Sequence, residues 1–215
     1  MTRKLYLLAD SPLSGDARVT GIDTSGAQPR IILDQTFFHV KGGGQLGDRG
    51  FIGSARVVDV RHALNGDVDH LVESVDGLAV GDAVSMFVDQ EHRAQNTRLH
   101  TAGHLIAGVM AIPFPDVSAI GAHHYPGECR VEFRGNEAAM ETIRGMLPEL
   151  LACAIDEDLS VQILGNPEAN RTIAIGQYPP IPCGGTHLRS VASLGKVEIT
   201  GIKIKDGKLR VSYRL

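Results

Sequence analysis

The chain has no apolar run long enough for a membrane helix, no excess of positive charge and too few cysteines for a disulfide framework. The longest early apolar stretch, Leu5 to Ala9, falls short of the roughly 7 to 15 residues that a signal-peptide core needs. Three cysteines, an odd number, point to a reducing compartment, so a cytoplasmic location with no membrane partner is expected. A formal net charge of −4 is not the balance of a strong nucleic-acid binder. There is no internal repeat and no low-complexity tract. Missing residues also exclude motifs. The stretch Gly42-Gly43-Gly44-Gln45 is not followed by the Gly-Lys-Ser/Thr of a phosphate loop, so no nucleotide cofactor is expected. Position 101 is threonine, where a thermolysin-like protease needs its glutamate base. Pro182-Cys183 lacks the second cysteine that a zinc deaminase requires.

What is present is a pair of metal-ligand clusters, His100-Thr-Ala-Gly-His104 and Cys183-Gly-Gly-Thr-His187. Side chains four apart on a helix stand one above the other, so His100 and His104 can converge on one ion. The consecutive glycines after Cys183 are poor helix formers and predict a tight loop folded back over that helix. Three imidazoles and one thiolate suit zinc rather than magnesium or calcium. Cys129 and Cys153 are read as packing residues.

Apolar spacing organises the rest. Strand-like runs at 4–8, 17–22, 30–33, 51–60, 68–73 and 84–88 are separated by turn residues, including a hairpin signal at Asn65-Gly66, which together predict a small barrel. From Gln90 the period becomes helical: Leu99, Ala102, Ile106, Val109 and Met110 form a core stripe flanked by Arg93, Thr97, His100 and His104. A second helix is predicted after Asn136 as cap, burying Met140, Ile143, Leu147, Leu150 and Leu151, with Pro148 kinking or splitting it. Strands return at 159–164, 171–175, 196–205 and 209–213, the last two joined at Asp206-Gly207. The length of 215 residues exceeds the roughly 100 to 150 of one domain. The expected division is residues 1–89, a barrel carrying the glycine loop, and residues 90–215, a zinc-binding α+β domain.

Four stretches in order resemble the alanyl-tRNA editing domain family, in particular its free-standing, medium-length AlaX type. They are Thr36-Phe-Phe-His-Val-Lys-Gly-Gly-Gly-Gln45-Leu-Gly-Asp48-Arg-Gly50, Gly66-Asp-Val-Asp-His70, Val88-Asp-Gln-Glu-His-Arg93 leading to His100 and His104, and Cys183 to His187. The resemblance implies an α+β fold, an N-terminal small β-barrel followed by an editing domain of the alanyl/threonyl-tRNA synthetase type. It implies ATP-independent hydrolysis of mischarged seryl-tRNA(Ala), and also of glycyl-tRNA(Ala), in trans, in the service of translation fidelity. The partner would be the acceptor end of tRNA(Ala) and the cofactor Zn2+, held by His100, His104, Cys183 and His187. Synthetases that also charge tRNA are far longer, so editing without aminoacylation is expected.

The resemblance further implies that Gly42, Gly43, Gly44 and Gln45 line the substrate pocket, with Gln45 reaching the ester, where its amide N–H could meet a developing oxyanion. It makes Thr36 the residue that bonds the hydroxyl of a mischarged serine. A site built around such a bond can reject a substrate lacking the partner by about 10⁴ to 10⁵. The chain departs from the family pattern at Phe38-His39-Val40, where Phe-Tyr-Pro is usual. Four protein ligands would close a zinc tetrahedron, whereas catalysis by the metal needs an open position. Three arrangements stay open: Cys183 off the metal and acting on substrate, a five-coordinate ion, or a metal that only shapes the pocket. Two other functions fit the same residues, a non-catalytic zinc-stabilised RNA-binding module and an editing hydrolase for another aminoacyl-tRNA, such as one mischarged on threonine tRNA. A local basic excess follows Arg189, with Lys196, Lys203, Lys205, Lys208, Arg210 and Arg214 against Glu198 and Asp206.

Overall fold

A computed structural model describes residues 1–135 and 139–215. The chain is α+β and divides into two compact units, residues 1–42 with 46–95, and residues 43–45 with 96–215.

The first unit carries β1 (Arg3–Lys4), β2 (Ser14–Asp23), β3 (Arg30–Leu33), β4 (Gln35–Thr36), β5 (Gly50–Ile52), β6 (Ala55–His62), β7 (Val68–Val72) and β8 (Ala83–Val88). Six of them close into a barrel in the order β2-β3-β7-β6-β5-β8. Closure follows from alternation: β8 places Val84, Met86 and Val88 inward and Ala83, Ser85 and Phe87 outward, the period-two pattern of a half-buried strand. Ile31, Phe38, Ile52, Val60 and Val72 complete the interior. The run expected at 4–8 is not one strand. Only Arg3–Lys4 pairs, parallel to β4, and Leu5–Leu7 coil into a 3-10 turn that buries Tyr6 and Leu7. The run at 51–60 divides at Gly53, whose φ of 55° makes the turn that a β-branched residue would resist.

The second unit begins within α1 (Gln90–Ala111), which is followed by β9 (Ser118–His123), β10 (Arg130–Arg134), α2 (Met140–Asp156), β11 (Val161–Leu164), β12 (Thr172–Ile175), β13 (Ile181–Pro182), β14 (Glu198–Lys205) and β15 (Lys208–Arg214). Asp89 caps α1 by accepting the His92 N–H at 3.0 Å, satisfying one of the donors that a helix start leaves free. The core stripe of Leu99, Ala102, Ile106, Val109 and Met110 is buried as its spacing requires, together with Leu105. The sheets are β14-β15-β10-β9 and β11-β12-β13. Asp206 and Gly207, with φ of 52° and 72°, form the tight turn between β14 and β15.

Two expectations need correction. Pro148 does not split α2, which runs unbroken from Met140 to Asp156 and buries Ile143, Leu147, Leu151 and Ala154. Pro148 lies on the exposed face, so the carbonyl it leaves without an N–H partner can turn to water. Cys153 is exposed rather than packed, whereas Cys129 is buried. The expected cap, Asn136, lies outside the described residues.

His70 is fully buried on the inward face of β7. Its Nδ1–H donates to the Ile31 carbonyl at 3.0 Å, and its Nε2 accepts the Thr36 hydroxyl at 2.8 Å. Burial pushes its pKa down to about 4. An unfolded histidine titrates near 6.5, so between that value and about 4 the unfolded chain binds more protons and stability falls as pH falls. Denaturant unfolding at pH 7 and pH 4.5 should show wild type losing about 2 kcal/mol more than His70→Gln over that interval. Equal losses would mean that His70 is not held neutral.

Candidate metal centre

His100 and His104 lie one turn apart on α1, and Cys183 and His187 come from the loop after β13. One ligand atom from each of the four falls within 4.8 Å of every other. The Cys183 Sγ stands 3.5 Å from His100 Nε2 and 3.3 Å from His187 Nε2. Tetrahedral bonds of about 2.1 Å to nitrogen and 2.3 Å to sulfur put neighbouring donors roughly 3.4 to 3.6 Å apart. The cluster therefore fits one metal ion. Within the cluster, His104 Nδ1 is buried and has no hydrogen-bond partner, an orphan that costs about 1 to 3 kcal/mol if left unsatisfied.

Each imidazole is aimed by a neighbour. His100 Nδ1–H donates to the Gln45 Oε1 at 2.5 Å, which leaves Nε2 as the lone-pair nitrogen facing Cys183. His187 Nδ1 stands 3.4 Å from the Thr101 hydroxyl oxygen, which donates to the Thr97 carbonyl and so can accept from the ring. Thr101, in the place where a protease would have its base, thus holds a ligand and the Leu188 N–H. Sequence spacing gave it no role, because its partners lie far along the chain.

Gln45 is fully buried in the second unit. Its Oε1 also accepts the Thr186 N–H at 3.0 Å, and its Nε2 donates to the Thr186 hydroxyl at 2.8 Å. Both lone pairs of the oxygen are used, leaving one Nε2–H for anything else. Gly185 has to be glycine: a Cβ there would collide with the His100 ring and stand 2.7 Å from the Gln45 Oε1. Gly44 is equally confined, with φ of 78° and a Cβ position 2.5 Å from the Ala122 carbonyl oxygen. The Arg171 guanidinium donates to the Cys183 carbonyl at 2.5 Å and steadies the loop.

Burial sets the electrostatics. It raises the Cys183 thiol pKa, against the opposing effects of the Gly185 N–H and Arg171. It pushes His104 down to about 4, assisted by Arg171. A neutral imidazole is the ligand form, whereas the thiol must shed its proton to bind, so metal uptake by this cluster would release protons and would weaken as pH falls. Beside the cluster lies a cavity of about 350 Å³ whose wall includes Gly43, His100, His104, Cys183 and His124.

Of the remaining sequence candidates, Thr36 and Gly42 belong to the first unit. Thr36 is buried; its hydroxyl donates to His70 and accepts the Phe38 N–H at 3.0 Å. His124 escaped sequence reasoning, having no ligand spacing to either cluster.

Comparison with known proteins now decides the family. The chain is 30% identical over 218 residues to alanyl-tRNA editing protein AlaX-M of Pyrococcus horikoshii, an alignment covering 100% of this chain and 98% of that protein. The chain belongs to the alanyl-tRNA editing family. It is 25% identical over 204 residues to AlaX-L of the same organism, covering 86% of the chain and 50% of that protein. To the alanine–tRNA ligase of Acidothermus cellulolyticus it is 30% identical over 219 residues, covering 86% of the chain but 25% of the ligase. The chain thus spans about a quarter of the ligases it matches. No family model matches it. Among the described residues, no helix is long and apolar enough to cross a membrane.

Because Gln45 orients His100 from outside the ligand set, Gln45→Ala should keep the fold yet bind metal about 10- to 100-fold more weakly. Competitive titration with a chelator, with circular dichroism to check the fold, measures this. Unchanged affinity would show that the amide does not position the ligand.

Proposed function

We propose that the protein is a trans-acting deacylase that hydrolyses the ester joining a wrong amino acid, serine foremost, to the 3′ end of tRNA(Ala). The observation that carries this reading is the four-donor cluster bound through Gln45 to the glycine loop, in a chain whose full-length relative is named an alanyl-tRNA editing protein. Water oxygen adds to the ester carbonyl carbon, the bond from that carbon to the ribose oxygen breaks, and the ribose oxygen takes a proton. Free amino acid and uncharged tRNA result.

The donor set favours zinc. When bound, zinc supplies Lewis acidity that stabilises charge on oxygen during acyl transfer. We assign His100, His104, Cys183 and His187 as the residues that would hold it; to act on substrate oxygen the ion would have to take a fifth ligand or release Cys183, whose thiolate would then meet the substrate. The remaining Gln45 Nε2–H is the donor we assign to the substrate's ester oxygen.

Thr36 supports serine as the main substrate. Its single proton is committed to His70 and one lone pair to the Phe38 N–H. The lone pair left over can accept a hydroxyl from serine, and neither alanine nor glycine offers one. We therefore rank serine above glycine. RNA contact would fall to the exposed Lys196, Lys203 and Lys205, since Lys208 and Arg210 pair with Glu132 and Arg214 pairs with Glu198. Such contact weakens steeply with salt.

Serine-, glycine- and alanine-charged tRNA(Ala) should be incubated with the protein, with and without chelator. Cleavage of the seryl ester about 100-fold or more faster than the alanyl ester is expected, lost on metal removal, with Thr36→Val closing most of that gap. A Cys183→Ala variant that keeps its metal and fold but loses cleavage would place the thiolate on the substrate. Cleavage of none of the three esters would refute the reading.

A further inference from the structure

His124 lines the cavity beside the metal cluster, is 2% exposed, and belongs to neither ligand pair. Its Nδ1 stands 2.6 Å from the Tyr213 hydroxyl oxygen. That hydroxyl has one proton and donates it to the Leu99 carbonyl at 2.8 Å. The oxygen can therefore only accept from His124, which fixes the proton on Nδ1 and leaves Nε2 as a lone-pair acceptor. Among the described residues, no donor meets this nitrogen.

The ring is clamped. It stacks on His100 with centroids 4.8 Å apart and planes 30° from parallel. A Cβ at Gly44 would come 3.2 Å from its Cδ2, and a Cβ at Gly103 would collide with its Cε1 edge. The His124 N–H also bonds the Gly44 carbonyl at 2.8 Å. A side chain aimed this firmly, with an unused acceptor at a cavity wall, is built to receive a donor.

Charge selects the donor. Among the described residues, no acidic or basic side chain other than the histidines and Cys183 lines the cavity. Three neutral imidazoles and one thiolate around a divalent ion leave a net positive centre, which disfavours an ammonium beside it and favours a neutral hydroxyl. A seryl-tRNA end carries two neutral hydroxyls close to the reacting carbonyl, that of serine and the ribose hydroxyl next to the ester; serine's is assigned above to Thr36, which leaves the ribose hydroxyl for this cavity. We propose that His124 Nε2 accepts a hydrogen bond from that ribose hydroxyl, so that the cavity recognises the sugar while the amino acid is judged elsewhere. This rests on the deacylase reading above.

The test uses full-length metal-loaded protein and seryl-tRNA(Ala) whose terminal ribose either carries the hydroxyl vicinal to the ester or has hydrogen in its place. The hydroxyl changes ester reactivity by itself, so the quantity to compare is the ratio of kcat/KM for the two substrates. In His124→Phe that ratio should fall about 5- to 10-fold below wild type, the loss of one hydrogen bond. His124→Gln, which offers an oxygen close to the Nε2 position, should recover part of it. Metal content should stay at the wild-type level in both. An unchanged ratio in His124→Phe overturns the inference, as does a variant that loses metal and slows equally on both substrates, which would reduce His124 to a prop for His100. If His124→Phe does not fold, Tyr213→Phe, which frees the tautomer, should lower the ratio in the same direction, and an unchanged ratio there is equally adverse. Wild type that cleaves the seryl ester with no such dependence on His124 leaves the deacylase standing; wild type that cleaves neither substrate overturns both.

Discussion

The cluster of His100, His104, Cys183 and His187 is tied together by one buried amide. The Gln45 carbonyl receives the His100 Nδ1–H and the Thr186 N–H, while its Nε2 grips the Thr186 hydroxyl, which in turn meets Thr97 at 2.6 Å. Glycine loop, helix and cysteine loop are thereby joined in one network with nearly every polar atom of the amide satisfied. In a low-dielectric interior a network of this kind is worth more than its separate bonds, and an orphaned member costs correspondingly more. It also explains why glycine recurs: Gly44, Gly103 and Gly185 each stand where a Cβ would strike a carbonyl oxygen or an imidazole.

Burial gives the cluster a chemical bias. The same desolvation that keeps His104 neutral resists ionisation of the Cys183 thiol, so a cation bound there would have to displace the thiol's proton. Two buried hydroxyl–imidazole pairs outside the cluster are wired alike. In the barrel, His70 holds the Thr36 proton and turns that hydroxyl into an acceptor; in the second unit, Tyr213 does the same for the His124 ring. In both pairs the proton is committed in advance, which leaves a lone pair on a neutral group without reorganisation.

The two halves of the four-residue cluster and the glycine loop were legible in the sequence because their spacing is local: His100 and His104 share a helix face, and Cys183 and His187 share one tight loop. Alternation in β7 and β8 and the helical stripe from Leu99 to Met110 were legible for the same reason. What escaped depends on long-range partners or on weak patterns. β9 is exposed along nearly its whole length, with no apolar alternation to mark it, and so His124 at its end carried no signal. Thr101 looked like an absence, a missing base, until the fold brought His187 to it. Pro148 reads as a helix breaker by local rules, but its place on the solvent face lets the helix pass through.

The central claim is that three imidazoles and one thiolate hold a common ion. X-ray absorption at the metal edge of untreated protein tests it most directly. The account predicts one zinc per chain, with three nitrogen neighbours near 2.1 Å and one sulfur near 2.3 Å. A shell without sulfur, or protein that purifies with no metal under non-chelating conditions, would contradict it.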